Sequence, residues 1–261
     1  MRDYGNYKKI QVERNGPVLT LTLNNGTRNE FGSQMHTECS KLFSEIRSDD
    51  DVSVVVLTGA GDYFSIAAEM GWYGNISAAD WMRLMREAKQ IVHDMLALPQ
   101  PLVIRMNGDA MGLGSSLVSL GDFIVAAEGA RLGDHHVQMG LVCGDGGAMT
   151  YPFSMGLQRA KEFFMLGREF TVEELHQIGV VTKVAPRADL DAAVDEVVQK
   201  LLSAPREALQ WTKATLNRMV HFSDFIGTDY SLGYEGWSWH LDPAQKFLAE
   251  QREADGKAGP Y

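Results

Sequence analysis

From Ser53 to Gly59 the chain reads SVVVLTG, a β-branched run too continuous for a half-exposed strand. It reads as a strand buried on both faces, which calls for covering layers. LVIRM at 102–106 and FIVAA at 123–127 are further short strands. Strand, glycine turn, helix and strand recur along this part of the chain, so a parallel βα architecture is predicted. Ahead of it, KIQVER (9–14) and PVLTLTL (17–23) alternate apolar and polar residues around Asn15-Gly16, the signature of a hairpin.

Helices follow from periodicity. Between Ser33 and Ile46 the apolar positions Met35, Cys39, Leu42, Phe43 and Ile46 recur at helical spacing. A long helix begins at the capping pair Ser77 and Asp80, carries Trp81, Met85, Ala88, Val92 and Met95 on one face, and stops before Pro99 and Pro101. Beyond Gly147 the pattern predicts helices at 157–166, at 171–178 with Thr171 and Glu174 as a capping box, and at 189–202, with a short strand in VVTKVAP. From Pro205 onward no stretch looks like a strand. That tail is rich in aromatics (Trp211, Phe222, Phe225, Tyr230, Tyr234, Trp237, Trp239, Phe247), suited to docking on its own core or on a second subunit.

Chemistry is expected between Met106 and Gly147. Glycines at 108, 112 and 114 interrupt the chain after the LVIRM strand, and a helix begins near Leu113. Such a turn lets backbone approach a ligand, and the first amides of a helix have no intrahelical acceptor, so they suit a developing oxyanion. The plain alternative is a tight turn where a helix packs on a strand.

Composition narrows the classes. The 261 residues, 45% hydrophobic and 22% charged, fit one large globular domain, or one with a smaller appendage. A formal net charge of −10 argues against nucleic acid and anionic membrane as partners. Two cysteines, Cys39 and Cys143, lie far apart, giving no disulfide framework and a reducing compartment. No apolar run spans a bilayer and the charged N-terminus does not read as a signal peptide, so a cytoplasmic protein is expected.

Taken in order, RNEF (28–31), LTGAGDYFSIAAEM (57–70), NGDAMGLGSSLVSLGDFIVAAEGARLG (107–133), MGLVCGDGG (139–147) and AKEFFMLGREFTVEELHQIGVVTKVAP (160–186) resemble the crotonase, or enoyl-CoA hydratase/isomerase, superfamily. The resemblance implies an α/β fold: a spiral of ββα units over residues 1–200 and a C-terminal helical region at 201–261 that builds trimers, commonly paired into hexamers. It also implies two backbone amides, here those of Ala68 and Leu113, that stabilise an enolate formed from an acyl-CoA thioester. Coenzyme A would enter as part of the substrate, with no permanently bound cofactor. Ala67 stands where the family's FSAGADL form has a glycine. Arg28 matches the basic residue expected at the coenzyme A phosphates, and Ile66, Ala67 and Ser116 fall at substrate-binding positions.

The glutamates that hold water in hydratases fall here on Ser116 and His136. A serine is not basic enough to replace a carboxylate at neutral pH, so the two-glutamate mechanism does not carry over. His136 is the expected acid/base, titrating near neutrality, and Asp145 in GDGG the expected second group, orienting it or handling water. If His135 and His136 were extended, their side chains would diverge and one alone would enter the pocket. His136 and Asp145 also match positions used by 6-oxocamphor hydrolase, a crotonase relative that cleaves β-diketones without coenzyme A. Its further histidine on the oxyanion turn is absent, the stretch here reading GLGSS. Asp134, His135, His136 and Asp145 are ligand types, but no metal is expected: the adjacent histidines diverge and no second pair at helical spacing completes a set. His36, His93, His176, His221 and His240 are read as surface or packed residues, and Glu235 as a group reaching a neighbouring pocket in an oligomer.

Three readings stay open at this level. The first is a crotonase-type enzyme acting on an acyl-CoA by hydration, double-bond isomerisation or C–C hydrolysis, the second a coenzyme-A-independent hydrolase of β-diketones, and the third a non-catalytic binding protein.

Overall fold

The computed structural model describes residues 2–66, 68–73 and 76–258. The chain opens with β1 (Ile10–Asn15) and β2 (Val18–Leu23), then α1 (Ser33–Ile46), β3 (Val54–Gly59), the short α2 (Met70–Tyr73) and α3 (Ala78–Leu96). Next come β4 (Leu102–Met106), β5 (Ala110–Met111), α4 (Leu113–Ser119), β6 (Phe123–Ala127) and β7 (Arg131–Gly133). Then follow α5 (Gly147–Met155), α6 (Leu157–Leu166), β8 (Phe170–Thr171), α7 (Val172–Gln177), β9 (Lys183–Ala185) and α8 (Leu190–Leu202). The tail is α9 (Arg206–Leu216), α10 (Arg218–Ser238) and α11 (Asp242–Ala258).

β1 and β2 form the expected antiparallel hairpin, with Asn15 opposite Val18 and Gly16 at φ +57°. Every other pairing in the main sheet is parallel, in the order β1-β2-β3-β4-β6-β9. A second sheet, β5-β7-β8, stands apart. Its two- and three-residue strands are too short to leave a period in the sequence.

β3 is buried at all six positions because both faces are covered. Val55 and Leu57 face the main core with residues of α1 and α3, while Val54 and Val56 face Leu190, Ala193, Val194 and Val198 of α8. The two caps expected on helices are present: Ser77 accepts the Asp80 amide, and Thr171 with Glu174 forms a reciprocal capping box. α5 was not foreseen. Its sequence, GAMTYPFSM, holds glycine, an internal proline and weak helix formers, so packing sustains it. Tyr151 and Met155 are buried, and the Tyr151 hydroxyl donates to the Ser115 carbonyl at 2.9 Å.

The tail folds back on the core. α10 runs antiparallel to α3: Trp81 meets Gly236, and two turns on Lys89 pairs with Asp229 at 2.6 Å. α11 seats Ala244 and Leu248 against Leu141 and Trp239. The aromatics therefore divide. Trp239 is in the core and Phe247 packs against it, whereas Trp211, Phe222, Phe225, Tyr230 and Trp237 face outward.

Because β3 is closed on both sides, Leu57→Ala leaves a void that neighbours cannot fill. It is expected to cost about 2–5 kcal/mol, read as a lower urea midpoint. The exposed Lys41→Ala is expected to stay within about 0.5 kcal/mol of wild type.

Candidate active site

In parallel sheets ligands gather beyond the carboxyl ends of the strands. Here the chain leaving β3 (60–69) and the chain leaving β4 (107–113) meet at that edge. Two buried asparagines fix the first of these segments. Asn29, at φ +54°, donates to the carbonyls of Ala60 and Tyr63, both at 2.9 Å. Asn107 donates to those of Gly61 and Tyr63, at 2.9 and 3.0 Å, and accepts the Gly59 amide. The segments then pair directly: Met111 N–H bonds the Ser65 carbonyl, and Ser65 bridges Ala110. A Cβ on Gly114 would lie 2.3 Å from the Ser65 oxygen, so only glycine lets the turn come this close. Gly112 adds a positive φ of +56°.

This approach puts Ala68 and Leu113 on the wall of one cavity of about 1180 Å³. Ala68 pairs with Phe31 through the next amide, that of Glu69, and neither the Ala68 nor the Leu113 amide donates a hydrogen bond within the described residues. Two unengaged donors thus border the cavity, the requirement for holding an oxyanion. Ile66 and Arg28 line it too, while Ala67 lies outside the described residues.

His136 borders the same cavity, its Cε1 3.8 Å from where a Cβ on Gly112 would stand. It is not extended. It adopts αR geometry as the N-cap of a short 3-10 turn, Val137–Met139, and Nδ1 sits 2.9 and 3.0 Å from the two oxygens of buried Asp134. Burial disfavours charge on the ring, but the Asp134 carboxylate outweighs it, with Asp145 and Glu235 adding to the effect. The pKa rises to about 10. The expectation of a histidine titrating near neutrality is therefore replaced by an imidazolium. Burial likewise works against ionisation of Asp134, yet its contacts with His136 hold its carboxyl below the usual range. His135 also borders the cavity, half-exposed and 3.3 Å from Glu169.

Asp145 lies on the cavity wall and accepts from Ser116 Oγ at 2.6 Å. Its pKa is pushed up by burial and by Asp134, against the pull of His136 and Ser116. Ser116 is buried away from the lining, so its visible contact is with Asp145 rather than with the cavity. The glycines of GDGG make room for neighbours. A Cβ on Gly144 would lie 2.2 Å from Glu235 Oε2, one on Gly146 2.6 Å from Val92, and one on Gly147 2.7 Å from Ser116 Oγ.

Glu235 comes from α10 of the same chain and is buried on the cavity wall, which corrects its expected reach into a neighbouring pocket. His36 is a second surprise. It lines the cavity with Nδ1 3.0 Å from Glu87, which Thr37 and Arg83 also hold. Burial opposes charge on Glu87, but the His36 and Thr37 hydrogen bonds keep its pKa low. No spacing links His36 to Glu87, since the packing of α1 on α3 joins them.

Arg28 is half-exposed and already paired with Glu30 at 2.9 Å. It is the only lysine or arginine among the described lining residues, which also include the carboxylates of Glu30 and Glu69. For metals, the structure brings Asp134, His136 and Cys143 together, their ligand atoms within 4.8 Å. Burial and the nearby carboxylates push the Cys143 thiol well up, which disfavours the thiolate a metal would need.

Residues 13–226 match the family model described as enoyl-CoA hydratase/isomerase. A 1,2-epoxyphenylacetyl-CoA isomerase from Escherichia coli is 29% identical over 206 residues, 77% of this chain and 78% of its own. Among solved structures, an enoyl-CoA hydratase/isomerase from Mycobacterium paratuberculosis is 31% identical, with a TM-score of 0.91 over 95% of this chain and 100% of that one. A β-diketone hydrolase from the cyanobacterium Anabaena sp. PCC 7120, bound to (S)-3-oxocyclohexyl acetic acid, is 26% identical, with a TM-score of 0.85 over 93% and 96%. With most of its length matched by the family model and its fold shared with these structures, the chain belongs to the enoyl-CoA hydratase/isomerase family, the crotonase superfamily.

Proposed function

We propose that this protein hydrolyses the carbon–carbon bond between two carbonyl groups of a compact 1,3-dicarbonyl substrate, a retro-Claisen cleavage that needs no coenzyme A. The observation that carries it is the His136 imidazole clamped at Nδ1 by Asp134, on one cavity with Asp145 and with the Ala68 and Leu113 amides, which donate no hydrogen bond within the described residues. Likeness to the Anabaena β-diketone hydrolase supports the same reading.

In this reaction water attacks one carbonyl carbon and gives a proton to Asp145 as the new C–O bond forms. The bond to the α-carbon then breaks, and its electron pair moves into an enolate whose oxygen the Ala68 and Leu113 amides hold. The His136 imidazolium delivers its proton to that α-carbon. A carboxylic acid and a ketone leave, and passage of the proton from Asp145 to His136 restores the site. Glu235 adds negative charge that sustains the imidazolium.

A second reading, an acyl-CoA thioester processed through the same enolate, is favoured by the name of the E. coli relative and by Arg28 at the cavity. Its weakness is electrostatic: a ligand with several phosphate charges would meet one arginine already tied to Glu30, beside Glu69. In either reading the site needs no resident cofactor or metal, the C-terminal helices after about residue 200 form the oligomerisation region, and the outward aromatics supply a trimer contact.

A panel of cyclic β-diketones, enoyl-CoAs and β-ketoacyl-CoAs read by mass spectrometry separates the two. The expected product is a diketone that has gained one water and opened. Turnover of a CoA thioester alone, with KM raised by Arg28→Ala, would establish the second reading instead. Asp145→Asn is expected to lower kcat by about 10²–10⁴-fold, with the circular dichroism spectrum unchanged.

The rate is expected to fall at high pH as His136 loses its proton near pH 10. Asp134→Asn removes the strongest attraction for that proton, so the basic limb of the pH–rate profile should move down toward the ordinary histidine value of about 6.5. Because the folded-state pKa is raised, the stability from this pair is complete below about pH 6.5 and is lost as pH climbs through about 10. Thermal unfolding of wild type and Asp134→Asn across that window checks the sign.

A further inference from the structure

Along α3 the antiparallel seam with α10 continues one turn past the Lys89–Asp229 pair. There His93 of α3 faces His221 of α10, their ring centroids 5.9 Å apart and tilted 61°. Asp224 lies one turn further along α10 from His221. Two imidazoles and one carboxylate offer ligand atoms that all lie within 4.8 Å of one another.

We propose that His93, His221 and Asp224 form a binding site for a divalent transition-metal ion of the zinc class, stapling α3 to α10. Two nitrogens and a carboxylate oxygen are the donor set zinc takes, and the exposed His93 leaves the fourth position to water. The surroundings fit that role. Asp224 is buried and its Oδ1 accepts from Thr228, an outer contact that orients the carboxylate and leaves Oδ2 available. Nor is this seam remote from the cavity. α3 supplies Trp81, Leu84 and Met85 to the wall and α10 supplies Leu232 and Glu235, so a metal here would set the spacing of two walls.

The test is zinc titration of the full chain, stripped with chelator and desalted, by calorimetry and thermal unfolding. One zinc ion per chain and a raised Tm are expected. His93→Ala, a change at an exposed position, should weaken binding by more than the roughly 10–100-fold that loss of an outer-shell partner costs. Asp224→Asn should weaken it as well. Cys143→Ser, which removes a ligand type from the other cluster, should leave zinc binding intact, and anomalous scattering should place the ion between α3 and α10. No saturable binding by wild type, or binding lost in Cys143→Ser but kept in His93→Ala, would overturn the assignment.

Discussion

A charged imidazole survives burial only when a carboxylate reaches it, and the candidate site of this protein is built around such a contact. Both oxygens of Asp134 lie within hydrogen-bond distance of His136 Nδ1, and the backbone amide of His136 bonds the same carboxylate. Two residues separate the partners in the chain, so the clamp is local and its geometry is set by the 3-10 turn that follows. Such a pair is expensive to bury and gives little net stability. The ring so held borders a cavity that Asp145 and Glu235 also line.

Around this clamp, the site is built from backbone brought unusually close to backbone or side chain. The sheet is covered on both faces, which leaves the carboxyl ends of β3 and β4 as the place where chain can gather. Gly114 lets the second segment touch Ser65, and Gly144, Gly146 and Gly147 admit Glu235, Val92 and Ser116. A side chain at any of these positions would push apart the groups that must act together. The asparagines at 29 and 107 then hold the loops without regular secondary structure.

With Ser116 and His136 at the positions where the family resemblance expects two glutamates, the groups beside the cavity differ in kind from a glutamate pair. A pair of glutamates steadies a water for addition. Here the cavity is bordered by an imidazole and a carboxyl group whose pKa values are both raised, and in the proposed cleavage the first would donate at carbon and the second accept from water. The same lining holds one arginine, paired with Glu30, together with Glu69 and apolar side chains of α3.

Much of this was legible beforehand for physical reasons. Period and composition marked the hairpin, the buried β3 and the two capped helices, because those features arise from neighbours in the chain. Glycine spacing and motif order marked the oxyanion turn, the family and the residues His136 and Asp145. What stayed hidden depends on contact between distant segments. The proline and glycine of α5 masked a helix that only its packing sustains, and the small second sheet is too short to show a period. His36 and Glu87 lie 51 residues apart, and Glu235 meets Gly144 across 91 residues, so no local pattern announces either contact. The sequence by itself determined the layered fold, the family and the glycine turn that brings the Ala68 and Leu113 segments together. The tertiary structure alone decided the burial of the Asp134–His136 pair, the place of Glu235 on the same cavity and the contact of His36 with Glu87, because each depends on segments far apart in the chain that only folding brings within a few ångströms.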